Sequence, residues 1–172
     1  DLCSVHRRDH GAGASQGKGL NTTIRPMVRQ DKSTIMDILR TLREFTPEEV
    51  VVAEELIDAY LEAPATSGYL VFVAEVDAGV TGYVCYGPTP LTKGTWDVYW
   101  IAVDPGGQGQ GVGRALMAFT EARIKESQGR LVLVETSGRP DYAKTRRFYN
   151  SIEYREAARV LDFYAPGDDK LI

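Results

Sequence analysis

The sequence is short of most features that give a function away by composition. It holds only two cysteines and two histidines in 172 residues, too few for a disulfide framework or a histidine-rich metal centre. Cys85 sits in an apolar, strand-like run and reads as a buried, inert thiol. Cys3, His6 and His10 are residue types that ligate metals, but they lie in a basic stretch without apolar periodicity, and no metal site is expected there. Positive charge is not in surplus: the formal net charge is −4, which argues against general nucleic-acid or anionic-membrane binding. No apolar run approaches the roughly 18 residues of a membrane span, and no signal-peptide pattern is visible. The expectation is a cytoplasmic enzyme or binding domain.

What remains is ordinary in bulk. Hydrophobic residues make up 43% and charged residues 26%, enough for one domain with a real core. Residues 1–22 are rich in Gly and Ser and read as a disordered tail or linker, and the lack of an initiator Met suggests a piece of a longer chain. Residues 23–172 read as a single domain. A short strand begins at Thr23. Ile35, Ile38, Leu39 and Leu42 then recur at helical spacing, marking one buried face. A second helix opens at Thr46-Pro47-Glu48-Glu49, where Thr46 and Glu49 form a capping box and Pro47 suits the first turn. Glu48, Glu49, Glu54, Glu55, Asp58 and Glu62 crowd this helix as a solvated face, or as an attraction for a cationic amine.

Strands at 69–76 and 80–87 flank a tight Asp77-Ala78-Gly79 turn, a hairpin signal. A third strand follows at 95–103. Period two places Asp97, Tyr99, Ile101 and Val103 on one face of it, with Trp96, Val98, Trp100 and Ala102 on the other. Next come a glycine turn, a helix marked by Val112, Ala115, Leu116 and Phe119, and a strand at 131–137. A helix around 141–151, a strand at 153–164 and a strand stub at 168–172 complete the chain. This order predicts a mixed α/β fold: a central, mostly antiparallel twisted sheet of about seven strands with helices on both faces.

The turn 104-DPGGQGQGVGRALMAF-119 packs five glycines into eight residues before a helix. Ordering that much glycine is costly, so the backbone must come close to something. A strand, a glycine turn and a helix N-terminus together make an anion site, unless this is only a glycine-rich surface turn. The dinucleotide pattern G-x-G-x-x-G fails, because Arg114 and Val112 occupy the sixth positions. The P-loop tripeptide Gly-Lys-Ser/Thr is missing. Gln108-x-x-Gly111-x-Gly113 followed by Arg114 is what stands there.

With these residues the chain resembles the GNAT family of N-acetyltransferases, whose motif is Gln/Arg-x-x-Gly-x-Gly/Ala after the fourth strand. The resemblance covers roughly residues 23–172 in element order. It implies that acetyl-CoA is the cosubstrate and that no metal is required. Its pyrophosphate would lie on the backbone of Gln108, Gly109, Gln110, Gly111, Val112, Gly113 and Arg114. Its pantetheine would run along Ile101, Ala102 and Val103. The segment 146-RRFYNSIEY-154 is similar to the family's FYxxxGF, with Tyr149 near the CoA sulfur as acid and Glu153 where Gly is usual. Tyr149 has a second reading, as core packing with Phe148 and Ile152. Tyr142 stands seven residues earlier, where the family often has an Asn that touches CoA. Asp97, eleven residues before Gln108, occupies the place of a general-base glutamate in some members, and otherwise reads as a satisfied structural acid. A carboxylate among strand aromatics needs a partner or a role.

The activity implied is acetyl transfer from acetyl-CoA to a primary amine of a small molecule or protein, directly in a ternary complex. A non-catalytic acetyl-CoA-binding domain is the alternative. The resemblance leaves a homodimer open.

Overall fold

The structure is a computed structural model that describes residues 22–172. Of the tail expected at residues 1–22, residues 1–21, with Cys3, His6 and His10, lie outside the described residues. Thr22 already belongs to the first strand, β1 (Thr22–Pro26). Helices α1 (Lys32–Thr41) and α2 (Pro47–Glu62) follow. Then come strands β2 (Leu70–Val76), β3 (Gly79–Pro88) and β4 (Thr95–Val103). The chain continues through α3 (Val112–Glu126), β5 (Leu131–Val134), β6 (Thr136–Ser137) and α4 (Ala143–Ser151). It closes with β7 (Arg159–Ala165) and β8 (Asp168–Leu171).

The first five strands form one sheet in sequence order, antiparallel except that β5 runs parallel to β4. Strands β6, β8 and β7 form a second, three-stranded sheet. The sequence suggested a single sheet of about seven strands; the 131–137 run instead breaks at Glu135, and its two halves join different sheets. The strand expected at 153–164 begins only at Arg159, because residues 152–154 are used to end α4.

Helices cover both faces of the five-stranded sheet, as the pattern required. Val71, Val73, Tyr83 and Cys85 pack under α1 and α2. Phe72, Ala74, Val84 and Tyr86, alternating with them, pack under α3 and Tyr149. Strands β2 and β3 are thus buried on both sides, which explains their continuous apolar runs. Their hairpin turns through Asp77 and Ala78, with φ of 51° and 65°, a primed turn suited to strand twist. Burial pushes the Cys85 thiol up to about 12, so it stays protonated and inert.

An ion pair ties β1 to the turn that opens α1. Arg25 donates to both oxygens of Asp31, at 2.7 and 2.9 Å, and the Val28 amide adds a third bond at 2.8 Å. The Arg25 guanidinium, against the opposing cost of burial, holds the Asp31 carboxyl below its ordinary value. A depressed carboxyl stabilises the fold above its unfolded pKa of about 3.9. That contribution drains away as pH falls through the lower, folded value. Acid melts should therefore show Asp31→Asn converging with wild type as pH falls below about 3.9 and diverging from it as pH rises above that value.

Candidate active site

The sheet comes apart where the chemistry would be. Strand β4 pairs with β5 only from Thr95↔Leu131 to Val98↔Val134. Beyond Val98 the two strands separate, and a cavity of about 870 Å³ opens between them, in the upper range for small-molecule sites. Tyr99 to Val103 line one wall, and Glu135, Thr136 and Ser137 line the other. Among the described residues that edge of β4 has no strand partner, so its backbone is free to bond an extended ligand.

A β-bulge sits at the same place. On β3, Cys85 pairs with Trp100 while Tyr86 pairs with Val98, leaving Tyr99 as the extra residue. This corrects the simple alternation. Trp96 and Val98 face α3 together with Ile101 and Val103, whereas Tyr99, Trp100 and Ala102 face α1 and α2. One inserted residue reverses every side chain after it.

The glycine turn closes one end of the cavity. Asp104 accepts the Gly106 amide at 2.9 Å, starting a single 3-10 turn before Gln108. Gly109 and Gly111 have φ of +76° and +87°, and a Cβ on either would meet nothing within 4 Å. Space is therefore not what the protein itself needs there. Positive φ is one requirement, and the cradle in front of the α3 N-terminus fits an anion. At Gly113 a Cβ would press on the Phe148 ring at 3.3 Å, so this glycine serves the packing of α3 on α4.

Tyr149 is only 9% exposed and borders the cavity. Phe148 and Tyr154 hold its ring, with centroids at 5.3 and 5.7 Å. Burial raises its phenol well above the ordinary value, which keeps the hydroxyl protonated as a donor. Its backbone is held by the end of α4. Tyr154 N–H bonds the Tyr149 carbonyl and Glu153 N–H bonds the Asn150 carbonyl, both at 3.1 Å, the bonding of a Schellman cap. Glu153, at φ +70°, fills the left-handed position that glycine usually takes. Left-handed backbone costs roughly 1–2 kcal/mol with a side chain, against roughly 0.5–1 kcal/mol for ordering a glycine. Glu153→Gly should raise Tm by about 1–4 °C in a thermal melt.

Tyr142 also borders the cavity, 6% exposed. Its hydroxyl donates to Glu49 Oε1 at 2.8 Å, while Glu49 Oε2 accepts the Thr46 amide at 2.7 Å. The expected capping box of α2 is thus present, and the same carboxylate ties α2 to the start of α4. Of the acids crowding α2, Glu49 alone reaches the cavity wall. Glu54 and Asp58 bind Lys32 on α1, at 2.8 and 2.6 Å.

Most expected site residues therefore meet in one place: Ile101, Ala102, Val103, Gln108, Gly109, Gly111, Val112, Gly113, Arg114, Tyr142 and Tyr149 all line the cavity. Two do not. The Gln110 side chain turns back to the Gly106 carbonyl at 2.8 Å. Asp97 lies outside the lining, and its carboxylate accepts a 2.6 Å bond from the Thr89 hydroxyl. Its charge still reaches the cavity wall, where it helps burial push the Tyr99 phenol up to about 12. Missed by sequence reasoning were Lys144, which donates to the Gln108 side chain, and the aromatic wall of Phe45, Tyr69, Tyr99 and Trp100. Adjacent aromatics in an alternating strand were the available signal for the bulge that makes this wall.

A sheet splayed beside a glycine turn and a helix N-terminus, with a buried tyrosine between, defines an acetyltransferase of the GNAT type. A sequence model of the GNAT acetyltransferase domain matches residues 67–156. A protein from Desulfovibrio desulfuricans assigned to the GNAT family is 44% identical, with a TM-score of 0.83 over 87% of this chain and 95% of that one. The chain belongs to the GNAT acetyltransferase family. Its fold is also that of an acetyltransferase from Salmonella typhimurium solved with acetyl-CoA, at 20% identity, TM-score 0.68, and coverage of 87% and 90%. The ribosomal-protein-alanine N-acetyltransferase of Brucella melitensis is similar at 21% identity, TM-score 0.69, and coverage of 87% and 96%. Among curated proteins nothing matches. No helix among the described residues is long and apolar enough to cross a membrane.

Proposed function

We propose that the protein is an N-acetyltransferase, moving the acetyl group of acetyl-CoA to a primary amine within one ternary complex. The observation that carries this reading is the convergence of three groups on one cavity: the unpaired β4 edge, the open glycine cradle and the protonated Tyr149 hydroxyl. Acetyl-CoA would supply an acyl group already activated as a thioester. The amides from Gly109 to Arg114 hold its pyrophosphate, with the Arg114 and Lys144 side chains adding positive charge. The backbone of Ile101 to Val103 aligns the pantetheine and donates an N–H to the carbonyl oxygen as charge develops there.

The amine nitrogen bonds to the acetyl carbon as the carbon–sulfur bond breaks. Tyr149 passes its proton to the departing sulfur and regains one, through water, from the nitrogen, which sheds a proton as the amide forms. An alkylamine with pKa near 10 is almost wholly protonated at neutral pH, so a base must first take a proton from it. In this reading Asp97 does so at one remove, through water, because its carboxylate lies outside the cavity lining and is held by Thr89. Asp97→Asn should slow turnover near pH 7 and recover partly at pH 9–10, where solvent deprotonates the amine. A variant with wild-type kcat/KM across that range would show Asp97 to be structural.

The decisive test offers acetyl-CoA with a panel of diverse amines and follows free thiol. Thiol release that depends on one class of amine supports the reading. Stabilisation by acetyl-CoA without turnover on any amine would instead mark a binding domain.

A further inference from the structure

This inference rests on the reading above and names the acceptor. Past Tyr149, the cavity is walled by rings. The bulge places Tyr99 and Trp100, neighbours in sequence, on the same face of β4. Phe45 meets Trp100 edge-to-face, with centroids 5.2 Å apart, and Tyr69 meets Tyr99 in the same way at 5.4 Å. All four rings border the cavity. Edge-to-face packing covers one face of one ring in each pair and leaves the remaining faces for other contacts, and an aromatic face attracts cations. The raised Tyr99 pKa of about 12 keeps its phenol neutral.

Arg114 and Lys144 stand at the glycine-turn end. Glu44, next to Phe45, and Glu49 stand at the aromatic end, where Arg139 donates to the Glu44 carbonyl and lies over the Tyr142 ring. Beyond the rings, α2 contributes Val52 and Leu56. Val52 is 46% exposed, an apolar side chain left open beside the site.

We propose that the acceptor is an amine on an apolar chain, that it enters as its ammonium ion, and that the faces of Tyr99 and Trp100 hold that ion while the chain lies along Val52 and Leu56. A polar amine would find the rings but gain nothing from Val52 and Leu56.

Non-acetylatable probes separate charge from shape. Choline and 3,3-dimethylbutan-1-ol have the same outline and differ by one positive charge. Calorimetry on the wild-type protein saturated with CoA should give choline about tenfold the affinity of the neutral alcohol. Affinity should rise again from tetramethylammonium to hexyltrimethylammonium. The protein has two tryptophans, and Trp96 packs on the opposite face of the sheet. In Trp96→Phe, the fluorescence of Trp100 should therefore quench on choline binding with the same affinity. Equal binding of choline and the alcohol, or binding that leaves Trp100 emission unchanged, would overturn the inference. A thermal melt with acetyl-CoA alone distinguishes the two levels of failure. A shift there with no preference for the cation sinks the inference and leaves the acetyl-CoA reading standing. No shift sinks both.

Discussion

Gly111→Val is expected to fold and to gain no thermal stability from acetyl-CoA. For the wild type, acetyl-CoA at a hundred times its Kd should add about 2.7 kcal/mol, or roughly 5–10 °C for a domain of this size. Residue 111 caps α3 at φ +87°, and a Cβ added there would meet nothing within 4 Å. The substitution therefore strains its own backbone by about 1–2 kcal/mol, somewhat more for a β-branched residue. Typical domains have about 5–15 kcal/mol in hand, so the native state survives. The valine branches, by contrast, stand in the space in front of the α3 amides that a pyrophosphate would need. Gly113→Val is the poorer test, because its Cβ would push on Phe148 and so on the neighbouring Tyr149. Wild-type affinity for acetyl-CoA in a folded Gly111→Val protein would remove the glycine turn from the site.

Tyr149→Phe should leave acetyl-CoA affinity unchanged and lower kcat, by up to about a hundredfold. General acids contribute roughly 10²–10⁴-fold, and a thiolate leaves readily enough to put this case at the low end. The ring is fixed by Phe148, Tyr154 and the end of α4, so the loss is confined to the hydroxyl. Burial raises this phenol above its ordinary pKa of about 10. The wild-type enzyme should accordingly keep its acid form through pH 9, and any alkaline fall below that pH comes from another group. A variant with wild-type kcat would assign Tyr149 to packing alone and leave catalysis to positioning by strand and turn.

These residues were legible because their signals are local. Glycine density before an apolar-periodic helix, and the Phe148-Tyr149 pair on the next helix, need no knowledge of the rest of the chain. The capping box at Thr46 and Glu49 was legible for the same reason. Its second duty was not, since the Tyr142 hydroxyl it accepts lies 93 residues away. The face of Asp97 followed from period two because it precedes the bulge. The faces of Trp100, Ile101 and Val103 did not, because Tyr99 is squeezed out by its pairing with β3, a tertiary event. The split of 131–137 between two sheets has the same origin: nothing in Leu-Val-Leu-Val-Glu-Thr-Ser announces that β8 will claim Thr136 and Ser137.

The splay between β4 and β5 has a mechanical consequence. The two sheets are continuous in the chain only through Glu135, and the wedge between them is the cavity. An apo protein should therefore open along that seam first, with those amides of residues 101–103 that point away from β3 exchanging with deuterium well before those of β2 and β3. A bound cosubstrate would act as a missing strand, bridging the seam and slowing exchange on both of its sides at once. Occupancy would then be readable as a change in how many parts the molecule unfolds in.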